Sequence, residues 1–422
     1  MGKIFMNKNM TIEKENKILK KGYKQTEIGV IPDDWSFEFL GNLGQFKNGI
    51  NKGNEDFGYG SPFVNLMDVF GVSSISETNH LGLINSTILE KNVYDLREGD
   101  VLFIRSSVKP SGVGLTSVIE KNLKNTVYSG FLIRYRDNSK ISNEFKKYCF
   151  SSEKFRKSII SSSTISANTN INQESLKNII LLFPTKIEEQ KAIAQALSDV
   201  NSLINSIEKT ISKKRDIKTA TMQQLLTGKK RLAGFGEGKG YKQTEIGFIP
   251  EDWELLYLKD VLKVRHGKNQ KEVEDINGKY PILGTGGLMS YSKSFLYDKE
   301  SVLIGRKGTI DKPQFMNTPF WTVDTLFYTE INKNSIPKFL YYKFLLIDWY
   351  SYNEASGVPS LNASRIENIK SAIPKNEEQK AIAQILTDMD DEIKTLENKL
   401  EKTKLIKQGM MQELLTGKTR LL

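Results

Sequence analysis

Two long segments of the chain carry apolar residues at alternating spacings of four and three. This spacing predicts one helix in each segment with the seam of a coiled coil, although a seam alone indicates packing or dimerisation as readily as any particular function. Gly228 and Gly417 follow the last leucine pairs, where helix C-termini are expected. The seam positions are Ile193, Leu197, Val200, Ile204, Ile207 and Ile211 in the first segment and Ile382, Leu386, Met389, Ile393, Leu396 and Leu400 in the second.

We expect these two helices to pair antiparallel, because the long domain between them can carry the chain back. The first helix would cover about residues 188–226. At about 1.5 Å per residue it would span roughly 55 to 60 Å. The pair is therefore predicted to act as a rigid spacer.

The chain contains an internal duplication. A lead motif, GYKQTEIGVIPDDW at 22–35, recurs as GYKQTEIGFIPEDW at 240–253 with two of fourteen positions changed. The helical block also recurs, with EEQKAIAQ starting at 188 and again at 377, an offset of 189 residues without a gap. The lead motifs are offset by 218 residues, so the intervening segments differ in length by about 29. We predict a duplicated frame with diverged inserts.

Both inserts show the same order of elements. Short apolar runs predict strands, which a helical stretch and a polar loop then follow. The predicted strands are 101–105 and 126–134 in the first insert and 301–305 and 320–328 in the second. The predicted helices are 143–155 and 337–352, and the polar loops are 161–172 and 356–362.

Composition narrows the class of protein without deciding it. Lys and Arg number 61 against 50 Asp and Glu, a net charge of +11, which favours a polyanionic partner or simply solubility. Six of the lysines fall within 1–21, against two glutamates. The single cysteine, Cys149, excludes an internal disulfide, and no apolar run approaches the roughly 18 to 20 residues of a membrane span. We expect a cytoplasmic protein.

Several loops combine basic or amide side chains with glycine. Arg and Lys can contact phosphate or guanine, Asn can contact adenine, and Gly permits close backbone approach. Each loop alone is equally compatible with an ordinary solvated loop, but their recurrence at strand ends in both inserts favours DNA contact. The candidates are Lys47, Asn48, Lys52, Arg105, Ser106 and Lys109 in the first insert and Arg265, His266, Lys268, Arg306, Lys307 and Thr309 in the second.

The two lead motifs, the two EEQKAIA helices and the diverged inserts closely resemble the specificity subunits of type I restriction-modification systems. The resemblance covers nearly the whole chain after about Gly22. The second insert is also similar to a recurring recognition-domain type of that family, through YPILGTGG at 280–287, VLIGRKGT at 302–309 and FWTVDT at 320–325. The first insert matches less specifically.

The resemblance implies an α+β fold with two mixed α/β target-recognition domains, separated by two long helices that pack as an antiparallel coiled coil in a pseudo-twofold repeat. The implied division of the chain is a leader at 1–21, a first recognition domain at 22–186, a first spacer helix at 187–228, a linker at 229–240, a second recognition domain at 241–375, a second spacer helix at 376–417 and a tail at 418–422.

The resemblance also implies function. Each domain would read one half of a split target in double-stranded DNA. The helices would set the gap and help to dock two modification subunits, with or without further ATP-driven restriction subunits. Those partners, not this chain, would bind S-adenosylmethionine, ATP and Mg²⁺ to methylate adenine and to cut DNA.

The residues themselves give little support to catalysis. No two of the eleven prolines are adjacent, so the Asn/Asp-Pro-Pro-aromatic motif of amino-methyltransferases is absent. The glycine-rich run at 234–240 follows a helix and is interpreted as a linker, and LTGKT at 415–419 ends a helix rather than beginning one. His80 and His266 have no nearby second ligand for a metal. The main alternative is a coiled-coil scaffold or tether without sequence-specific DNA recognition.

Overall fold

A computed structural model describes residues 21–421. The chain divides into two compact units, Met1–Ser206 with Glu401–Leu422 as unit 1 and Ile207–Leu400 as unit 2. The predicted lysine-rich leader, apart from Lys21, lies outside the described residues. Unit 1 is therefore built from two separate stretches of chain.

Unit 1 contains the first insert, the start of the first long helix and the end of the second. The strands are β1 Tyr23–Thr26, β2 Gly29–Pro32, β3 Trp35–Phe39, β4 Gly44–Asn48, β5 Phe57–Val64, β6 Ser74–Ile75, β7 Gly82–Ile84, β8 Val101–Ile104, β9 Ser106–Ser107, β10 Thr116–Ile119, β11 Val127–Tyr128, β12 Leu132–Asp137, β13 Thr164–Ile165, β14 Thr169–Asn170 and β15 Ile180–Pro184. The helices are α1 Leu40–Leu43, α2 Leu66–Val69, α3 Ile88–Val93, α4 Asn143–Cys149, α5 Glu153–Ser161, α6 Gln173–Lys177 and the first part of α7 Ile187–Leu225.

Unit 2 contains the second insert together with the rest of α7 and most of the second long helix. The strands are β16 Tyr241–Thr244, β17 Gly247–Pro250, β18 Glu254–Tyr257, β19 Leu262–His266, β20 Tyr280–Gly284, β21 Gly287–Ser292, β22 Ser301–Gly305, β23 Gln314–Met316, β24 Trp321–Thr322, β25 Leu326–Ile331 and β26 Lys370–Ile373. The helices are α8 Pro337–Phe344, α9 Ala363–Glu367 and α10 Asn376–Leu414, whose last part belongs to unit 1.

The main sheets of the two units have equivalent strand orders. The order is β4-β12-β8-β10-β6 in unit 1 and β19-β25-β22-β23 in unit 2. Every residue of β8 and of β22 is buried, as expected for a central strand covered on both faces. The equivalent edge strands β4 and β19 each pair antiparallel with the next strand of the sheet. The two inserts therefore share one mixed α/β architecture, which confirms the predicted fold class.

Three predicted elements of the inserts are each divided into shorter elements in the structure. The helix predicted at 143–155 is two helices, α4 and α5, because Ser152 caps a new helix by accepting a hydrogen bond from Phe155 N at 3.3 Å. The helix predicted at 337–352 is α8 followed by a 3₁₀ turn at Trp349–Tyr352. The polar loop at 161–172 contains the short strands β13 and β14.

The long helices run antiparallel within each unit. In unit 2, Ile207 and Ile211 form an apolar cluster with Ile393, and Leu396 and Leu400 pack against it. In unit 1, Ile193 and Leu197 share the core with Leu414 and Leu415, from the opposite end of α10. Of the remaining seam positions Ile204, Ile382 and Leu386 are buried, whereas Val200 and Met389 are half-buried. No helix among residues 21–421 is long and apolar enough to cross a membrane.

A buried carboxylate joins each lead motif to a long helix. In unit 2, Trp253 is 1% exposed and its Nε1 donates to Glu378 Oε2 at 3.0 Å. Arg231 donates to the same carboxylate at 2.7 and 2.8 Å and to Asp252 at 2.8 Å. We name this the Arg231 network. It fixes the end of the first helical block against the second lead motif.

Unit 1 has the equivalent Arg420 network, supplied by the end of the second helical block. Arg420 Nη2 donates to Glu189 at 2.8 Å and to Asp34 at 2.9 Å, while Trp35 Nε1 donates to Glu189 at 3.3 Å. Alternation of carboxylates with lysines along a helix is typical of solvated faces, yet Glu189 and Glu378 are only 1% and 3% exposed. Each is buried because a guanidinium and an indole satisfy it.

Acid should weaken the Arg231 network in a defined range. The hydrogen bond from Arg231 lowers the pKa of Asp252 from 3.8 to about 2. A depressed carboxyl pKa stabilises the folded state above pH 3.8, and this stabilisation is lost as the pH falls towards about 2. We expect the melting temperature of unit 2 to drop across this range and to drop less in Asp252→Asn. Equal slopes for the two proteins would contradict the assignment.

Candidate nucleic-acid interface

The first pair of candidate loops follows the edge strands β4 and β19. A Cβ on Gly49 would lie 2.1 Å from Ser129 O, and one on Gly267 would lie 2.0 Å from Val323 O, so only glycine permits this approach. Ile50 N then donates to Tyr128 O, and Lys268 N donates to Thr322 O, both at 2.9 Å. Each loop is thereby fixed against the turn that precedes β12 or β25.

An arginine at the end of each central strand approaches the same turn. Arg105 N donates to Phe131 O and Arg306 N donates to Thr325 O, both at 2.8 Å. Their guanidinium groups also match, since Nη1 of Arg105 donates to Gly130 O at 3.3 Å and Nη1 of Arg306 donates to Asp324 O at 3.2 Å. Arginine has five N–H donors, so each side chain keeps donors for a further acceptor.

The polar loop before α6 or α9 holds the other side of each arginine. Ile171 N donates to Arg105 O and Leu361 N donates to Arg306 O, both at 2.9 Å. The next residue along the chain pairs with this loop as well, Ser106 with Asn170 in unit 1 and Lys307 with Ser360 in unit 2. We call residues 105–109 and 306–309 the arginine loops. Each is fixed by backbone hydrogen bonds on two sides.

The structure therefore brings several of the candidate residues of each unit to one turn. In unit 1, Lys47 and Asn48 end the strand that leads to this turn, and Arg105, Ser106 and Lys109 belong to the arginine loop. In unit 2, Arg265 and His266 end the equivalent strand β19, and Lys268 follows it. Arg306, Lys307 and Thr309 belong to the second arginine loop. Lys109, Lys268 and Lys307 are exposed. Cationic and amide groups clustered on a rigid loop suit phosphate and base-edge contacts.

The candidates differ in how far their charges are already engaged. Lys52 forms a 2.8 Å ion pair with Glu90, and Arg265 forms one at 2.9 Å with Glu330. Lys47 Nζ lies 5.6 Å from the centroid of the Tyr94 ring. The His266 ring packs edge-on against Phe327 at 4.9 Å, which fixes its plane at the strand end. Lys52 is thus less available to a phosphate than Lys109.

Sequence reasoning missed one residue that holds the turn directly after the first arginine loop. Arg156, on α5, donates through Nη2 to Ser111 O at 3.0 Å and to Val113 O at 2.7 Å, and burial lowers its pKa. No local pattern marks it, because its partners lie more than 40 residues away along the chain. Within residues 21–421 there is no group of three or more His, Cys, Asp or Glu side chains that could hold a metal ion.

Comparison with known proteins agrees with this architecture. The family model for the type I restriction modification DNA specificity domain matches residues 32–214 and 250–405. A putative type I restriction enzyme MjaX specificity subunit from Methanocaldococcus jannaschii is 28% identical over 428 residues, covering 95% of this chain and 97% of its own.

Solved structures show the same fold. The S subunit of a type I restriction-modification system from M. genitalium superposes with a TM-score of 0.57 at 15% identity, covering 90% of this chain and 96% of its own. A chain from a study of complex assembly and conformational transition of the type I restriction-modification system gives a TM-score of 0.59 at 14% identity, covering 92% of this chain and 99% of its own.

The duplicated frame and the paired α/β inserts define a protein built from two related modules. Because the matched segments span most of the sequence, the chain belongs to the family of type I restriction-modification DNA specificity subunits.

Proposed function

We propose that this chain reads a split target in double-stranded DNA, one half through the arginine loop of each unit, and that it carries no catalytic centre of its own. The observation that supports this most is the equivalence of Arg105 and Arg306. Both directly follow a buried central strand, and both donate from Nη1 to the turn beside them. Two unlike loops on one scaffold suit two different half-sites.

Its partners would be two modification subunits, which would bind S-adenosylmethionine and methylate adenine. Restriction subunits, where present, would use ATP and Mg²⁺ to cut unmodified DNA. The chain itself would position these subunits on the DNA and select the target sequence, and the complex would act in the cytoplasm. We further propose that its domain division follows the boundaries predicted from the sequence, with recognition domains at 22–186 and 241–375.

The decisive test is methylation of randomised DNA by the chain assembled with its modification subunits. A split consensus in the modified DNA is the expected result. Methylation without any consensus would favour the alternative of a coiled-coil scaffold. Methylation by the purified chain alone, with S-adenosylmethionine, would contradict the non-catalytic assignment.

Helix length should set the gap between the half-sites. Inserting one heptad into both α7 and α10 keeps the seam in register. It lengthens each helix by about 10 Å, which corresponds to about three base pairs. We expect the consensus from randomised DNA to keep both half-sites and to gain a longer gap.

An insertion in α7 alone is the matched control, because it lengthens one helix and leaves its partner unmatched. This variant should lose assembly or DNA binding rather than shift the gap. An unchanged gap in the doubly lengthened protein would refute the spacer role.

A further inference from the structure

In unit 2, Lys218 of the first long helix packs against Asp390 of the second long helix and Tyr342 of α8. Lys218 forms an ion pair with Asp390, and its Nζ lies 5.4 Å from the centroid of the Tyr342 ring. The Tyr342 hydroxyl donates to the other oxygen of Asp390 at 2.7 Å. The carboxylate thus neutralises a lysine that is largely removed from solvent.

The equivalent cluster in unit 1 lacks this carboxylate. The repeat offset of 189 residues places Lys407 at the position of Lys218 and Asn201 at the position of Asp390. Asn201 Nδ2 donates to the Tyr148 hydroxyl at 3.2 Å, as an amide counterpart of the bond between Asp390 and Tyr342. An amide cannot neutralise an ammonium, and burial lowers the pKa of Lys407. Within the described chain, no ion-pair partner of Lys407 is found.

A cavity of about 570 Å³ opens beside Lys407, between the turn that joins α4 to α5 and the two long helices of unit 1. Apolar side chains of Ile204 and Met411 line it, together with the amide groups of Asn205 and Gln408 and a second lysine, Lys404. We call it the Lys407 groove. It offers a cation, amide hydrogen-bonding groups and an apolar surface within one site.

We propose that the Lys407 groove binds an Asp or Glu side chain on an acidic peptide segment of a modification subunit. Unit 2 shows what satisfies a lysine at this position, namely a carboxylate that also faces a tyrosine hydroxyl. The apolar side chains and amide groups of the lining suit a peptide rather than a run of DNA phosphates. The identity of the partner rests on the proposed function. Only unit 1 would require an acid from the partner.

The first test supplies the missing acid from within the chain. Asn201→Asp reproduces the residue found in unit 2 and should pair with Lys407, closing the site to an incoming carboxylate. We expect this variant to bind the modification subunit about tenfold more weakly in calorimetry, the loss of about one charge-assisted hydrogen bond. Lys407→Gln should give a similar loss. Lys402→Gln, an exposed position on the same helix, should bind as the unaltered chain does.

The second test follows the Lys407 amine directly. Acetylation by an N-hydroxysuccinimide ester, measured by mass spectrometry, should be about tenfold slower at Lys407 in the complex with the modification subunit than in the free chain. Lys402 should react equally in both states.

The outcomes separate the groove from the function. A complex that forms with Lys407 unprotected, and equally well with Asn201→Asp, overturns the groove but leaves the specificity subunit intact. If DNA alone slows acetylation of Lys407, the groove contacts phosphate, and the proposal that it binds a peptide is wrong. If the unaltered chain binds no modification subunit, the proposed function fails, and the groove proposal fails with it.

Discussion

Arg231→Met is expected to lower the free energy of unfolding of unit 2 by about 3 to 5 kcal/mol, because it leaves a buried carboxylate without its ionic partner. Glu378 is 3% exposed and would keep only the indole N–H of Trp253. Guanidinium denaturation of the full chain, followed by hydrogen exchange in unit 2, measures the loss. Arg420→Met should act on unit 1 in the same way, through Glu189.

Two controls identify burial of charge as the cause. Lys239→Ala removes an exposed, 3.4 Å contact with Asp252 and should change stability by less than about 1 kcal/mol. The double variant Arg231→Met with Glu378→Gln should recover part of the loss, since the remaining amide is uncharged. A double variant as unstable as Arg231→Met would show instead that packing around the guanidinium dominates.

Arg105→Ala is expected to relax the DNA consensus at one half-site only, and Arg306→Ala at the other only. A well-formed arginine contact to a base is worth about 1 to 3 kcal/mol of discrimination, so the affinity for the full target should fall roughly 5- to 150-fold. Sequencing of methylated randomised DNA, with the modification subunits present, reports each half separately.

Lys52→Ala is the control for that experiment, because Glu90 already engages the lysine. It should change affinity by no more than about twofold, because the ion pair already neutralises its charge. If the Arg105 and Arg306 variants weaken binding at both half-sites equally, the arginines attract the DNA phosphates without distinguishing the bases. An unaltered consensus in both would remove the arginine loops from the interface.

The long helices and central strands could be predicted from sequence because their signals are local and periodic. The first helix, predicted at about 188–226, is Ile187–Leu225, and the apolar run at 301–305 is strand β22. Glycines 228 and 417 do lie just past the helix ends, with φ of 72° and 70°. Their positions were readable because the left-handed conformation favours glycine.

The side-chain networks could not be predicted, because they join residues far apart in the sequence. Glu189 resembles any solvated helix carboxylate until Arg420, 231 residues later, lies beside it. The repetition of EEQK in both helical blocks did indicate that these positions are constrained, because side chains on a solvated surface need not be identical in the two copies. Alignment of the two repeats also shows that Asn201 replaces Asp390. The consequence of this difference can be seen only in the structure, which shows the lysine that each residue faces.

The composition of unit 1 bears on how the protein is made. Leu414 and Leu415 complete the core of this unit, and Arg420 neutralises Glu189. During translation, synthesis of the unit 2 polypeptide is complete before the last stretch of unit 1 is made. A chain truncated after residue 400 and released would therefore contain the whole of unit 2 but an incomplete core of unit 1, which makes it a substrate for chaperones and proteases rather than for assembly.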